Sequence, residues 1–425
     1  MASLVTSKFR VHNAQQFAEA FSEASNTIMY LFIGKNTTFP NDNSPPTPVN
    51  STANIEYTPW RDMYAAKRIT TSDVTHAIER YDWTSGTVYD QYDDQDTDLL
   101  DDDFYVMTDE YNVYKCLFNV SAAASTTKPT GVSTSPFTTA DGYIWKYMYT
   151  VTTAKALKFL TNDYIPVQTL TSDGGEDQWD VQTAAVDGGI HVVKVTAGGS
   201  GYATAPAVTI TGDGTGATAN STITANVVTS VTITAAGTGY TRATVAFASG
   251  AATANAIISP QGGHGADAVE ELGGKFIMLN VRLDGNESNT FSTANEFRQV
   301  GIVRDPYLYG TTTRAVASSF RQSFKYQLSS ISGTFTVDET ITSGSNTASL
   351  IEFSTPSIFT TLPLNLPFAN TTSVTGGTSG ATGTIAVITT PGLKPYSGDI
   401  LYVENRVPIA RADDQIEDVK LVIQF

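Results

Sequence analysis

One cysteine, four histidines and 25 Lys and Arg against 42 Asp and Glu remove several kinds of chemistry from this 425-residue chain at the outset. A single Cys116 excludes an intrachain disulfide. It lies in the apolar run Val113-Tyr-Lys-Cys-Leu-Phe118, which reads as a strand with a buried small hydrophobe rather than a nucleophile. His12, His76, His191 and His264 stand far apart, with no His-x-x-x-His and no Cys/His spacing, so no zinc site is expected. The formal net charge of −17 argues against direct nucleic-acid binding, because affinity for phosphate requires clustered Lys and Arg that displace counterions. Basic protein surfaces and divalent ions stay open as partners. No apolar run approaches the ~20 residues of a membrane-spanning helix. No apolar segment of the secretory kind follows Met1–Arg10. A protein that neither enters a membrane nor is exported, folded in a cytoplasm, is the expectation.

What the chain does have is Thr, Ser, Ala, Gly and Tyr, a balance that favours many short strands joined by tight turns. The expected class is mainly β, α+β with few helices: β-sandwich-like core domains carrying two inserted small all-β modules. Leu4–Phe9 reads as a strand. Asn13–Ala24 reads as an amphipathic helix with Asn13 as its cap, from Ala14, Phe17, Ala18 and Phe21 at helical spacing. Thr27–Ile33 reads as a strand, residues 34–59 as a loop, and Thr58-Pro59 as a helix start with Thr58 capping. Further strands are expected at Phe104–Met107, Asn112–Phe118, Tyr143–Val151, Lys275–Leu283 and Phe297–Arg304. At the end, Asp399–Glu404 and Glu417–Phe425 read as two strands around a polar turn, with Val419, Leu421, Ile423 and Phe425 on one face.

Composition changes abruptly at two places. Charge almost vanishes over residues 191–258, where Val193-Lys-Val-Thr-Ala-Gly-Gly-Ser-Gly-Tyr202 repeats as Val231-Thr-Ile-Thr-Ala-Ala-Gly-Thr-Gly-Tyr240. Two copies are too few for a solenoid, so a small module of two similar halves is expected. A fainter repeat, Thr342-Ser-Gly-Ser-Asn-Thr-Ala348 against Thr375-Gly-Gly-Thr-Ser-Gly-Ala381, marks residues 326–390. The organisation this implies is a discontinuous core of residues 1–190, 261–325 and 391–425, with inserts at 191–260 and 326–390. Closing the longer loops adds only about 0.6 kcal/mol per doubling of length.

Candidate chemistry is sparse. Asp94, Asp96 and Asp98 have the odd-position spacing of a calcium loop, but Leu99 stands where the glycine belongs and Tyr105 where the bidentate glutamate belongs. The stretch 90–103 therefore reads as a solvated acidic loop, able to face a basic partner. Gly262-Gly-His-Gly265 reads as a turn built on positive-φ glycines, since no Gly-x-Ser-x-Gly elbow accompanies its histidine. The Gly-rich loops ending in Tyr202 and Tyr240 are followed by strands and lack Lys-Ser/Thr, so they are turns, not phosphate cradles. No catalytic residue, cofactor or metal is assigned.

Several segments together resemble one family. They are Val5-Thr-Ser-Lys-Phe-Arg10, Arg80-Tyr-Asp-Trp83, Asp141-Gly-Tyr-Ile-Trp-Lys-Tyr147, Asp163-Tyr-Ile165, Phe297-Arg-Gln-Val-Gly-Ile-Val303 before Asp305-Pro306, and Gly398-Asp-Ile-Leu-Tyr-Val-Glu-Asn-Arg-Val-Pro-Ile409 through Asp414-Gln415 to Phe425. Their order resembles the baseplate wedge subunit of contractile-tailed phages of the T-even type, the family called gene product eight. The two Gly/Thr-rich modules fall outside the pattern and are similar to β inserts of structural proteins in marine relatives of these phages. The resemblance implies a non-enzymatic, dimeric virion protein of the tail baseplate, assembled in the host cytoplasm and contacting other wedge proteins, with no nucleic acid and no membrane. Within the matched segments Trp83, Trp145 and Phe297 are expected as core anchors, and Glu404 and Arg406 as a pair that matters only where buried. The alternative is a carbohydrate-binding or adhesion protein whose modules stack sugars on exposed Tyr202 and Tyr240.

Overall fold

The structure, a computed structural model, describes residues 3–23, 27–365 and 367–425. It is mainly β, 41% strand against 11% helix, as the composition leads one to expect. The chain divides into two compact units, one of residues 1–16, 75–278 and 422–425, the other of residues 17–74 and 279–421. The segment 191–260 lies in the first and 326–390 in the second, while the segments 1–190, 261–325 and 391–425 are shared out between them.

In the first unit a four-stranded antiparallel sheet is built from Tyr105–Met107, Asn112–Phe118, Ile144–Thr150 and Phe137–Thr138. The strand Asn112–Phe118 is buried at its five central positions, Cys116 included. A second pair, Val74–Glu79 with Tyr164–Val167, joins Ile78 to Ile165. One core gathers Ile78, Phe104, Leu117, Met148, Ile165, Val269 and Leu272. Another holds Tyr89, Tyr114, Tyr143, Trp145 and Tyr147, with Tyr143 stacked on Trp145 at 5.4 Å between ring centres.

The repeat in residues 191–258 is visible as pairing. The two copies meet antiparallel at Val193 and Val231, and their following strands, Val208–Gly212 and Ala243–Phe247, pair with each other. Tyr202 and Tyr240 take equivalent places beneath the turns. Each hydroxyl accepts a backbone N–H, from Ala252 at 2.9 Å and from Ala217 at 3.3 Å.

In the second unit a five-stranded antiparallel sheet runs Ser319–Arg321, Met63–Arg68, Met29–Gly34, Phe297–Arg304, Asp399–Ile409. Residues 326–390 form a closed barrel, in which Phe324–Ser332 pairs with both Ser357–Thr360 and Thr382–Thr389. Its faint repeat is again a pairing, Thr342 opposite Thr375 at the first residue of each copy.

Five expectations about helices, caps, a loop and a strand end are corrected. Leu4–Phe9 is not a strand: helix starts at Ser7 and runs to Glu19, with Thr6 Oγ1 accepting the Phe9 N–H at 3.2 Å, so Asn13 is interior and Thr6 is the cap. The expected helix end at Ala24 lies outside the described residues. The loop at 34–59 contains a π-helical turn, Ala53–Tyr57, that runs into the helix Thr58–Asp62. Thr58 does not cap there; its hydroxyl donates back to the Ala53 carbonyl at 3.0 Å. The penultimate strand is longer than expected, running to Ile409 through Pro408. Pro408 is tolerated because this strand ends the sheet, where no N–H is required of that position.

Gly301 stands in the middle of Phe297–Arg304, a strand buried at every position but the last. A Cβ there would run into the Phe32 ring and the Tyr402 carbonyl, one on each neighbouring strand. Gly301→Ala is expected to cost about 3 kcal/mol through overpacking, read as a lower urea midpoint for the second unit; an unchanged midpoint would mean the neighbours yield freely.

Candidate functional site

Several of the segments that carry the resemblance are held to one another by hydrogen bonds. Arg80 Nε and Nη2 grip the Asp82 carboxylate, each at 2.9 Å to one oxygen. Its Nη1 donates to the Thr161 carbonyl at 2.7 Å and its backbone N–H to the Asp163 carbonyl at 2.9 Å. Trp83 Nε1 donates to Ser125 Oγ at 3.1 Å, and Ser125 Oγ donates to Asp141 at 3.2 Å. Asp141 accepts further from the N–H groups of Thr126 and Thr127, at 2.7 and 2.8 Å, and from the Thr139 hydroxyl. Burial pushes its pKa up, but these bonds prevail and hold it below the usual carboxylate range.

Each expected anchor is located. Trp145 is fully buried and Phe297 nearly so. Trp83 is only partly buried and packs at the margin of its cluster, so as an anchor it is half right. Glu404 and Arg406 do pair, bidentate at 2.8 and 3.2 Å, with Tyr402 donating to Glu404 and Arg406 to the Lys420 carbonyl. Both side chains keep a quarter to a third of their exposure, so the pair contributes about 1 kcal/mol at most. Beside Trp83 an open groove of about 630 Å³ is lined by Arg80, Asp82, Tyr111 and Lys128. Its charges are mutually engaged: Lys128 bridges Asp109 and Glu110 at 2.7 and 2.5 Å.

The acidic stretch is used locally. Asp94 accepts the Ile258 N–H at 3.1 Å, and Asp93 pairs with Lys194 at 3.2 Å. Among the described residues no three His, Cys, Asp or Glu side chains are grouped to hold a metal ion. Tyr202 and Tyr240 are 4% exposed each, which corrects the expectation of an exposed sugar platform: both rings lie under their own turns.

What the sequence did not reveal is a buried charged cluster in the first unit. Lys115 and Lys146 face each other directly across the sheet, both buried. Glu271, from the short helix Ala268–Glu271, meets Lys115 Nζ at 2.9 Å. The Lys115 ammonium sits 4.1 Å from the centre of the Tyr92 ring, and Tyr92 packs edge-on to His264 at 4.8 Å. His264 comes within 5.6 Å of His191, so two histidines distant in sequence meet. Gly262, Gly263 and Gly265 all have positive φ, as expected of that turn, and at Gly265 a Cβ would run into Val181 and crowd Lys146. Burial lowers the Lys146 pKa to about 8 and the His191 pKa to about 4. The only sequence signal of this cluster was a histidine flanked by glycines.

No known protein family and no curated protein matches the chain.

Two predictions come from these groups. Asp141→Ala should destabilise the first unit by about 3 kcal/mol, since the buried Ser125, the half-buried Thr127 and Thr139 and the exposed Thr126 all lose a charged acceptor; an unchanged thermal midpoint would refute the role given to Asp141. Lys146 binds its proton less tightly folded than unfolded, so between its folded value of about 8 and the ordinary 10.5 the unfolded chain holds more protons. Wild type should therefore gain about 3 kcal/mol relative to Lys146→Met as pH rises through that window. Parallel stability curves for the two proteins would refute it.

Proposed function

We propose that the chain is a structural, non-enzymatic virion protein, a peripheral subunit of the tail baseplate wedge of a contractile-tailed phage, acting as a homodimer that holds neighbouring wedge proteins together. The observation that carries this reading is that two sets of these segments, 80–83 with 141 and 163, and 297–306 with 398–409, are one another's partners. Arg80–Trp83 binds the Asp163 segment through Arg80 and the Asp141 segment through Ser125. Phe297–Val303 pairs along its length with 400–409, Val300 opposite Glu404 and Phe297 opposite Ile409. Gly398, at φ +70°, turns against the Arg304 carbonyl and Pro306. Such residues maintain a shape, which suits a protein whose task is to present surfaces.

A docking surface is available within the same segments. The strand Asp399–Ile409 is the edge of its sheet, eleven residues long, and on it Leu401 and Val407 are 42% and 51% exposed. A long edge strand with exposed apolar side chains is a template for another chain unless it is covered. A stable interface there would bury roughly 1,200–2,000 Å².

Sedimentation velocity on the purified chain, alone and mixed with the other wedge proteins of its phage, tests the reading. A dimer that enters a larger complex is expected, and Val407→Asp should weaken one of these associations at least tenfold without lowering the thermal midpoint. A monomer at micromolar concentration that ignores those proteins would overturn the proposal.

A further inference from the structure

Lys115 and Glu271 meet where neither charge is well solvated, their side chains 0% and 3% exposed. Removing both from water costs several kcal/mol per ion before their attraction offsets it. Burial lowers the Lys115 pKa against the opposing pull of Glu271, which favours the neutral amine; the proton it gives up has Oε2, 2.9 Å away, as its acceptor. A desolvated lysine amine is a nucleophile. The two carboxyl oxygens are held differently. Oε1 accepts the backbone N–H groups of Gly265 and Asp267, at 2.7 and 3.2 Å. Oε2 faces Lys115 Nζ and, at 3.9 Å, His264 Nδ1, a buried nitrogen with no hydrogen-bond partner. Paired backbone donors on one oxygen stabilise an oxyanion. An imidazole beside the other can carry the proton that lets that oxygen leave.

We propose that Lys115 and Glu271 condense into an intramolecular amide that joins the strand Asn112–Phe118 to the helix Ala268–Glu271. The Lys115 lone pair forms the Nζ–Cδ bond, and the displaced electron pair rests on Oε1 under its two N–H donors. His264 accepts a proton from Nζ and passes it to Oε2. The Cδ–Oε2 bond then breaks and a water molecule leaves. Amine and carboxylic acid become amide and water, nothing is oxidised or reduced, and no co-reactant is required. Contact between the two groups supplies the effective concentration that this condensation lacks in solution. Tyr92, over Lys115 Nζ and edge-on to His264, closes the site against the water that would reverse the step. In a chain whose one cysteine rules out an internal disulfide, the amide is the covalent tie its own residues can make.

Intact-mass spectrometry of the full-length chain, with peptide mapping after denaturation and proteolysis, tests the proposal. The wild-type chain is expected to be lighter than its sequence by one water, with the fragments holding Lys115 and Glu271 joined. Lys115→Met is expected at its full sequence mass. His264→Phe, folded by circular dichroism, is expected to lose water at least tenfold more slowly. Wild type at its full mass with separate fragments after prolonged incubation would overturn the proposal. So would the same water loss in Lys115→Met, which would place the dehydration elsewhere. A His264→Phe rate equal to wild type would remove His264 from the step.

Discussion

The second unit rests on one constraint: the strand Phe297–Arg304 must be flanked on both sides by segments remote in the chain. Met29–Gly34 pairs on one side and Asp399–Ile409 on the other. Seven of its eight residues are buried, so both faces and both edges are covered at once. The absent side chain of Gly301 is what lets Phe32 and the Tyr402 backbone close in together. Nothing local could hold this strand in water; its apolar surface is compatible only with a sheet interior.

The two inserted modules solve the same problem by duplication. A short Gly/Thr-rich segment cannot bury an apolar face alone, but two similar copies can bury theirs against each other. In residues 191–258 the copies meet at Val193 and Val231. In the barrel they meet at Thr342 and Thr375. Each tyrosine of the first repeat fills the space beneath its turn and ties the two halves together, accepting a backbone N–H from the other half.

Much of the β architecture was legible because period-two alternation and β-rich runs are local signals. The strand at 297–304 was read to the residue, and the two repeats were read as modules. The N-terminal segment was misread because Leu4, Val5 and Phe9 look like a strand, whereas Thr6 supplies a helix cap that the apolar pattern hides. The charged cluster was illegible for a different reason. Lys115 and Glu271 are 156 residues apart, and each looks like an ordinary surface residue until the fold buries both. Glu404 and Arg406 were legible as a pair because they sit two apart on one strand face.

The chain passes between the two units after residues 16, 74, 278 and 421. Neither unit is therefore an uninterrupted stretch of polypeptide. Emerging from a ribosome, residues 75–278 come out whole and can begin to order early. The five-stranded sheet must wait for the strand Asp399–Ile409; Met29–Gly34 can pair early with Met63–Arg68, but its other edge stays open until Phe297–Arg304 is made. Vectorial synthesis thus imposes an order on maturation: the unit that begins with residue 17 is the one that closes late, and its early strand is the segment a chaperone has most reason to hold.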